Sequence, residues 1–163
     1  TARLCKKMDS FNNIQFDFDF KELSYQRLTD VQFGANEKNV LGEMYNDALD
    51  EGAHDLSFLN RHNWKHFAWC FYKLKPGYWI PPHIDHFANY SKHYGIEDRS
   101  KIKRTLLFLE DWRPGHVFGC YKEVITDWKK FDCYTWNHDA EHWGGNFGTE
   151  DRYTMQLTGT DDS

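Results

Sequence analysis

The chain has 163 residues with a formal net charge of −5, and 40% of its residues are hydrophobic and 28% charged. This length predicts one domain over residues 1–163. The charge gives no general attraction to nucleic acid or to anionic membranes, so neither is an expected partner. The longest apolar run, residues 67–72, is far shorter than the roughly 20 residues of a membrane-spanning helix.

The cysteines and the aromatic residues narrow the class of protein further. The four cysteines show no C-x-x-C spacing and no signal-peptide pattern precedes them, which predicts reduced thiols in a cytoplasmic protein. Aromatic residues make up 18% of the chain, including seven tryptophans. So much ring surface excludes a disordered chain. The rings either fill a small β-rich core or line a substrate groove, and both uses are compatible.

The first 60 residues contain two periodic segments. In residues 14–20 apolar and polar residues alternate, which predicts a strand with one solvent-facing side. In residues 36–52 apolar residues recur at helical spacing and Gly52 is a plausible C-terminal stop, which predicts a helix.

From residue 64 onward, short β-like runs are separated by turn signals such as Pro76-Gly77. The predicted strands are residues 67–74, 78–83, 102–109, 117–125, 131–136 and 152–158. Many short strands after a helical segment predict a mainly β jelly roll or small barrel, with its core over about residues 64–158 and one or two N-terminal helices supporting one sheet. Sites in such barrels lie at the mouth.

A candidate metal site begins at the motif His83-Ile84-Asp85. Residues i and i+2 of an extended chain project to the same face, so this histidine and carboxylate can reach one ion. A histidine followed two positions later by an aspartate is common by chance, so the alternative interpretation is an ordinary pair of residues at a surface turn. His142 supplies a second histidine, with His138 as a competitor. Two histidines and one carboxylate form the ligand set of non-heme Fe(II) oxygenases, and Arg152 follows where it could hold a diacid.

With these residues the chain resembles the Fe(II)/2-oxoglutarate-dependent dioxygenases of double-stranded β-helix (cupin-like) fold. Arg152 and Thr154 read as the Arg-x-Ser/Thr motif of that superfamily. The spacing of ten positions from His142 to Arg152 fits its pattern, whereas the spacing from His138 does not. The run 128–152 is similar to the aspartyl/asparaginyl β-hydroxylases. Tyr72 and the segment 108–112 are similar to prolyl hydroxylases.

The resemblance implies an enzyme that hydroxylates an amino-acid side chain in a protein, a peptide or a free amino acid, with release of succinate and CO2. Its cofactors would be Fe(II), 2-oxoglutarate and O2. His83, Asp85 and His142 would bind the iron. The implied 2-oxoglutarate contacts are Arg152, Thr154, Arg104 and Tyr72.

Several alternatives stay open. Arg104 shares strand parity with Leu106 and Phe108, so it either points inward and needs an anionic partner or ends an edge strand in solvent. Tyr72 is alternatively a core ring, and Asn146 orients a ligand or forms a turn. Residues 87–101 form a lid or an ordinary long turn. A predicted aromatic wall near the iron comprises Tyr78, Trp79, Phe87, Tyr134, Trp136 and Trp143.

Two other functions compete with the hydroxylase. The first is a carbohydrate- or ligand-binding jelly roll without catalysis, in which an exposed platform is formed by Trp79, Trp112, Trp136 and Trp143. The second is a cupin-type metalloenzyme without 2-oxoglutarate, against which Arg152 argues. The sequence does not distinguish a peptide substrate from a small metabolite.

Overall fold

The computed structural model describes residues 5–28, 41–45 and 52–163. Three short strands come first, β1 (Lys6–Met8), β2 (Gln26–Arg27) and β3 (Glu43–Tyr45). From residue 65 onward eight strands and one α-helix follow in chain order: β4 (Lys65–Leu74), β5 (Trp79–His83), α1 (Ala88–Tyr94), β6 (Ile102–Phe108), β7 (His116–Cys120), β8 (Glu123–Ile125), β9 (Cys133–Asn137), β10 (His142–Asn146) and β11 (Arg152–Thr160).

The described strands form two antiparallel sheets. The larger sheet has the order β1-β9-β6-β11-β4-β3-β2, and the smaller sheet has the order β5-β10-β7-β8. From β4 to β11 the chain passes back and forth between the two sheets, apart from the β7–β8 hairpin. This is a double-stranded β-helix, or jelly roll, and it confirms the predicted mainly β, cupin-like fold.

Alternation along β11 assigns each residue to one face of the larger sheet. Met155 and Leu157 lie on the outer face in one core cluster with Phe71 and Leu107, and Met155 is fully buried. Burying each such side chain contributes roughly 1.5–3 kcal/mol. The alternate residues of the strand, such as Thr154 and Gln156, face the space between the sheets. One strand therefore serves the outer core and the interior at once.

The N-terminal segment covers the outer face without forming the predicted strand over residues 14–20. Phe16 and Phe18 are half-buried against Phe71, with ring centroids 5.7 and 5.8 Å away. The segment has no strand hydrogen bonds and ends in a 3-10 turn, Phe20–Glu22. The period of two correctly predicted which side chains are buried. It was wrong about the backbone, because a strand also needs a neighbour to pair with.

The predicted helix over residues 36–52 is wrong where the structure describes it. Glu43–Tyr45 is a strand that pairs with β4, with Met44 opposite Tyr72. Leu41 has a φ of 64°, a left-handed conformation that interrupts a helix. Residues 36–40 and 46–51 of the prediction lie outside the described residues. Within the described N-terminal region, strands and 3-10 turns therefore take the place of the predicted supporting helices.

The strands predicted from residue 64 onward are observed with two corrections. The predicted run 117–125 is a hairpin, because Tyr121 adopts a φ of 53° and the chain turns there. The strand β10 was not predicted.

No helix among the described residues is long and apolar enough to cross a membrane. All four cysteines are free.

Candidate metal centre

The structure brings His83, Asp85 and His142 together between two neighbouring strands. His83 ends β5 and lies opposite His142 at the start of β10. The Nε2 atoms of His83 and His142 are 3.5 and 3.3 Å from the Asp85 carboxylate. One ligand atom from each residue lies within 4.8 Å of the other two. The pairing of β5 with β10 thus unites residues that are nearly 60 positions apart in the sequence.

Backbone carbonyls orient both histidine rings. The Nδ1 of His83 lies 2.8 Å from the carbonyl oxygen of Pro81, and the Nδ1 of His142 lies 3.0 Å from that of Ala140. A carbonyl only accepts, so Nδ1 carries the proton and Nε2 presents its lone pair. The Nε2 of His142 is buried, and no described residue forms a hydrogen bond with it. This orphaned acceptor fits a metal ligand held by the contacts that metal-binding histidines use.

The ionisation states also suit a divalent cation. Burial lowers the pKa of His142 to about 4, so its imidazole is neutral at pH 7. Burial would raise the pKa of Asp85, but the charge of the Arg104 guanidinium opposes it and helps to hold that pKa below its ordinary value. Imidazole and carboxylate groups are ligands for Fe(II) and similar ions.

These three residues line one side of a cavity of about 430 Å³. Such a volume lies within the range of sites for small ligands. The side chains of Tyr72, Thr154 and Arg152 line the same cavity from the larger sheet. Three of the four residues predicted to bind 2-oxoglutarate thus line the same cavity as the candidate metal ligands.

Arg152 is a buried cation in this cavity. It is 6% exposed, and its Nη1 donates to the carbonyl oxygen of Val117 at 2.6 Å. Its Nε has no hydrogen-bond partner among the described residues. Burial lowers its pKa to about 10, and no carboxylate of the described part of the chain contributes to that shift. A buried charge without a counter-ion is costly, so the cavity suits an anionic ligand.

Arg104 takes a different position from Arg152. It points inward, as the first alternative from strand parity predicted, and its anionic partner is Asp85, whose Oδ2 accepts from Nη1 at 2.6 Å. Arg104 borders a second cavity of about 180 Å³ beside the first. Its predicted contact with 2-oxoglutarate stays a prediction, since this guanidinium is engaged by one of the candidate metal ligands.

Tyr72 and Thr154 are neighbours across β4 and β11. Tyr72 is half-buried and Thr154 is 2% exposed. Gln156 lines both cavities and was not singled out from the sequence. Its parity with Arg152 and Thr154 on one strand was the signal that could have found it.

Asn146 does not form a turn, which was one of its two predicted roles. It ends β10, is fully buried, and its Nδ2 donates to the carbonyl oxygens of Leu74 and Glu150, each at 2.7 Å. It therefore ties the smaller sheet to the loop before β11. His138 does not belong to the described metal-ligand cluster, which contains His142.

The predicted aromatic wall is formed in part. Phe87 and Trp143 line the larger cavity, and the ring of Trp136 lies 4.9 Å from that of His142. Tyr134 instead packs between the sheets near Phe108. The exposed tryptophan platform that the ligand-binding alternative predicted is not formed. Trp136 is buried and, of the four tryptophans proposed for the platform, Trp79 alone is exposed.

The segment 87–101 is neither wholly lid nor wholly turn. Residues Ala88–Tyr94 form the helix α1, and Tyr90 donates to the carbonyl oxygen of His66 at 2.7 Å. Phe87, which precedes the helix with a φ of 52°, and Asn89 line both cavities. The beginning of this segment is thus part of the site wall.

Comparison with known proteins supports the fold. No family model matches the chain, and no curated protein matches its sequence. Among solved structures, a Pseudomonas putida prolyl-4-hydroxylase superposes with a TM-score of 0.56 at 12% identity, over 84% of this chain and 78% of that one. A Schizosaccharomyces pombe cupin domain gives 0.51 at 9% identity, over 99% and 89% of the two chains.

A predicted oxalate decarboxylase from Thermotoga maritima gives a TM-score of 0.50 at 13% identity, over 86% of this chain and 96% of that one. At such low identities the likeness shows the fold alone. The chain therefore shares the double-stranded β-helix of cupin proteins, some of which are enzymes, and carries a candidate His-Asp-His metal site within it.

Proposed function

We propose that the chain is an Fe(II)- and 2-oxoglutarate-dependent oxygenase that hydroxylates an amino-acid side chain of a protein, a peptide or a free amino acid. The observation that carries the proposal is the position of Arg152. This buried guanidinium has no carboxylate partner among the described residues, and it shares one cavity with His83, Asp85 and His142. A ligand that carries an anionic end and a metal-chelating end would satisfy both groups.

In this proposal His83, Asp85 and His142 hold the iron through Nε2 and carboxylate oxygen atoms. When bound, the iron would supply the oxidising chemistry that couples decarboxylation of 2-oxoglutarate by O2 to oxygen insertion into a C–H bond. The protein contributes the fixed histidine tautomers and a neutral His142. Phe118 and Leu106 add apolar surface to the cavity wall and limit its water.

Arg152 would bind the carboxylate of 2-oxoglutarate that is distant from the metal, because a guanidinium and a carboxylate form strong charge-assisted hydrogen bonds. Thr154 would donate its hydroxyl to the same carboxylate, and Tyr72 would donate from the adjacent strand. The likeness of the fold to a prolyl-4-hydroxylase supports this assignment without identifying the substrate.

A cupin-type metalloenzyme without 2-oxoglutarate is the second candidate. It would use the same metal ligands, and the likeness to a predicted oxalate decarboxylase favours it. The two proposals differ in the ligand of Arg152, which is 2-oxoglutarate in the first and another anion in the second.

Formation of succinate from 2-oxoglutarate tests the proposal. We expect formation that needs added Fe(II), that disappears in His142→Ala, and that shows a KM for 2-oxoglutarate about 10–100-fold higher in Arg152→Met, from loss of a charged hydrogen bond. Arg113→Met is the matched control, because Arg113 is exposed and pairs with Glu150. A peptide and metabolite panel, read by mass spectrometry for the gain of one oxygen atom, would identify the substrate.

Iron binding through the three ligands without any conversion of 2-oxoglutarate would contradict the oxygenase and support the cupin-type enzyme. Equal KM values in Arg152→Met and Arg113→Met would contradict the role of Arg152.

A further inference from the structure

Arg104 is a charged residue in direct contact with the candidate metal centre whose role the proposed function does not use. It lies on β6, and its side chain is 16% exposed, compared with 18% for Asp85. Its Nη1 and the Asp85 Oδ2 are 2.6 Å apart. The same Oδ2 is 3.3 Å from Nε2 of His142. One carboxylate oxygen thus bonds to a guanidinium and lies next to the Nε2 atom of a candidate metal ligand.

Two further contacts fix the Arg104 side chain. Its Nε donates to Thr158 Oγ1 at 3.2 Å, and its guanidinium carbon lies 4.6 Å from the ring centroid of Phe87. A guanidinium above an aromatic face gains a further attraction. Held on two sides, Arg104 is not free to swing away from Asp85 when the carboxylate takes another partner.

We propose that Arg104 is a positioning residue that shares Asp85 with the metal, holding the carboxylate between His83 and His142 and setting the metal affinity below that of the three ligands alone. This inference rests on the metal site of the proposed function. Asp85 brings one negative charge, whereas Arg104 and a divalent metal bring three positive charges. The two cations therefore compete for the carboxylate and repel each other.

The competition gives a defined sign to the effect of removing the charge. A neutral residue at position 104 leaves the carboxylate to the metal alone, so metal binding becomes tighter. A group that only oriented Asp85 would have the opposite effect, since losing an orienting partner of a ligand weakens metal binding. Charge competition and simple orientation are thus separated by one measurement.

The test is titration calorimetry with Mn²⁺, a divalent ion that resists oxidation in air, on protein stripped of metal with a chelator. We expect Arg104→Met to bind Mn²⁺ about 10-fold more tightly, the size of effect that a nearby charge has on proton binding to a carboxylate. Arg104→Lys, which keeps the charge, should bind within about threefold of the unaltered protein. Lys103→Met is the control, because Lys103 is a neighbouring cation that donates to Asn137. This variant should bind Mn²⁺ with the affinity of the unaltered protein.

Thermal melting gives an independent measurement on the same proteins. In chelator, Arg104→Met should melt at a lower temperature, because it leaves Asp85 without its cation. Mn²⁺ should raise the melting temperature more in this variant than in the unaltered protein. Should Arg104→Met not fold, Arg104→Gln removes the charge while keeping a donor for Asp85, and the same tighter binding is expected.

Equal or weaker Mn²⁺ binding in the neutral variants would overturn the role given to Arg104 and leave the proposed function intact. Failure of the unaltered protein to bind Mn²⁺ would contradict the metal site, and with it both the proposed function and this inference.

Discussion

Gly144 is the residue that makes room for the buried guanidinium of Arg152. A Cβ atom at position 144 would lie 2.8 Å from Nη2 of Arg152 and 3.3 Å from its Nη1. The Nη1 is bound to the carbonyl oxygen of Val117. Any side chain at position 144 must therefore displace the cation that the proposed function needs.

We predict that Gly144→Ala weakens 2-oxoglutarate binding about 10-fold by shifting this charged hydrogen-bond donor. Gly145→Ala is the matched control on the same strand, because its new Cβ would meet mainly the ring of Phe147, which is 67% exposed and can move aside. The measurement is the KM for 2-oxoglutarate in succinate formation. Equal effects of the two alanines would contradict the steric account.

Part of the site could be predicted from single residues. The spacing of His83 and Asp85 places both side chains on one face of an extended chain. Strand parity gave an inward-pointing Arg104 as one of two alternatives. The partner of Arg104 could not be predicted, because its contact with Asp85 depends on how β5 and β6, which belong to different sheets, approach each other. Tertiary packing decides such contacts, and no local pattern records it.

At the scale of elements, Asp132 fastens the N-terminal segment to the larger sheet. Its carboxylate accepts from Ser10 Oγ at 2.6 Å, from Lys7 Nζ at 3.0 Å and from the backbone N–H of Lys129 at 3.0 Å. Asp132 is 6% exposed. Buried carboxylates are stable when several donors satisfy them, as here.

These contacts give the stability of the protein a defined pH dependence. Burial would raise the pKa of Asp132, but the donors from Ser10, Lys129 and Lys7 outweigh it and lower that pKa. A lowered pKa in the folded state adds stability above the unfolded value of about 3.9, and that stability is lost as the pH falls through the folded pKa.

Asp132→Asn should therefore reduce the free energy of unfolding at pH 7 by about 1–3 kcal/mol, with the difference from the unaltered protein shrinking below about pH 4. Denaturant unfolding at a series of pH values measures this difference. Asp127→Asn, at an exposed turn, should leave stability unchanged. A deficit in Asp132→Asn that stays constant down to low pH would contradict the electrostatic explanation.

The elements differ in how well local patterns predict them. Strands such as β4 and β11 combine alternation with β-branched and aromatic residues, and they were found. In β10 the pair Gly144-Gly145 has the pattern of a turn, because glycine is common in turns. Here the glycines instead allow close approach of the Arg152 and Phe147 side chains within a strand. Their role was set by neighbours on other strands.

At the scale of the whole molecule, the two sheets divide the work of the site. The smaller sheet carries His83 and His142, and the loop after its strand β5 carries Asp85. The larger sheet carries Tyr72, Thr154 and Arg152. One apolar cluster lies on the outer face of the larger sheet and another lies between the sheets. The candidate site is therefore built on strands of both sheets, which hold its side chains in place.

The fold itself does not decide the function, because double-stranded β-helices carry several activities. We propose that the candidate metal ligands and Arg152 bind one molecule, 2-oxoglutarate, across the cavity between the sheets. Such binding needs the cavity as a unit, because each sheet supplies part of its wall.

Calorimetric binding of 2-oxoglutarate, compared in Mn²⁺ and in chelator, tests this claim most directly. We predict binding in Mn²⁺ that is lost in chelator and in His142→Ala, and that is about 10–100-fold weaker in Arg152→Met. Failure of 2-oxoglutarate to bind in Mn²⁺, or equal binding with and without metal, would contradict the account.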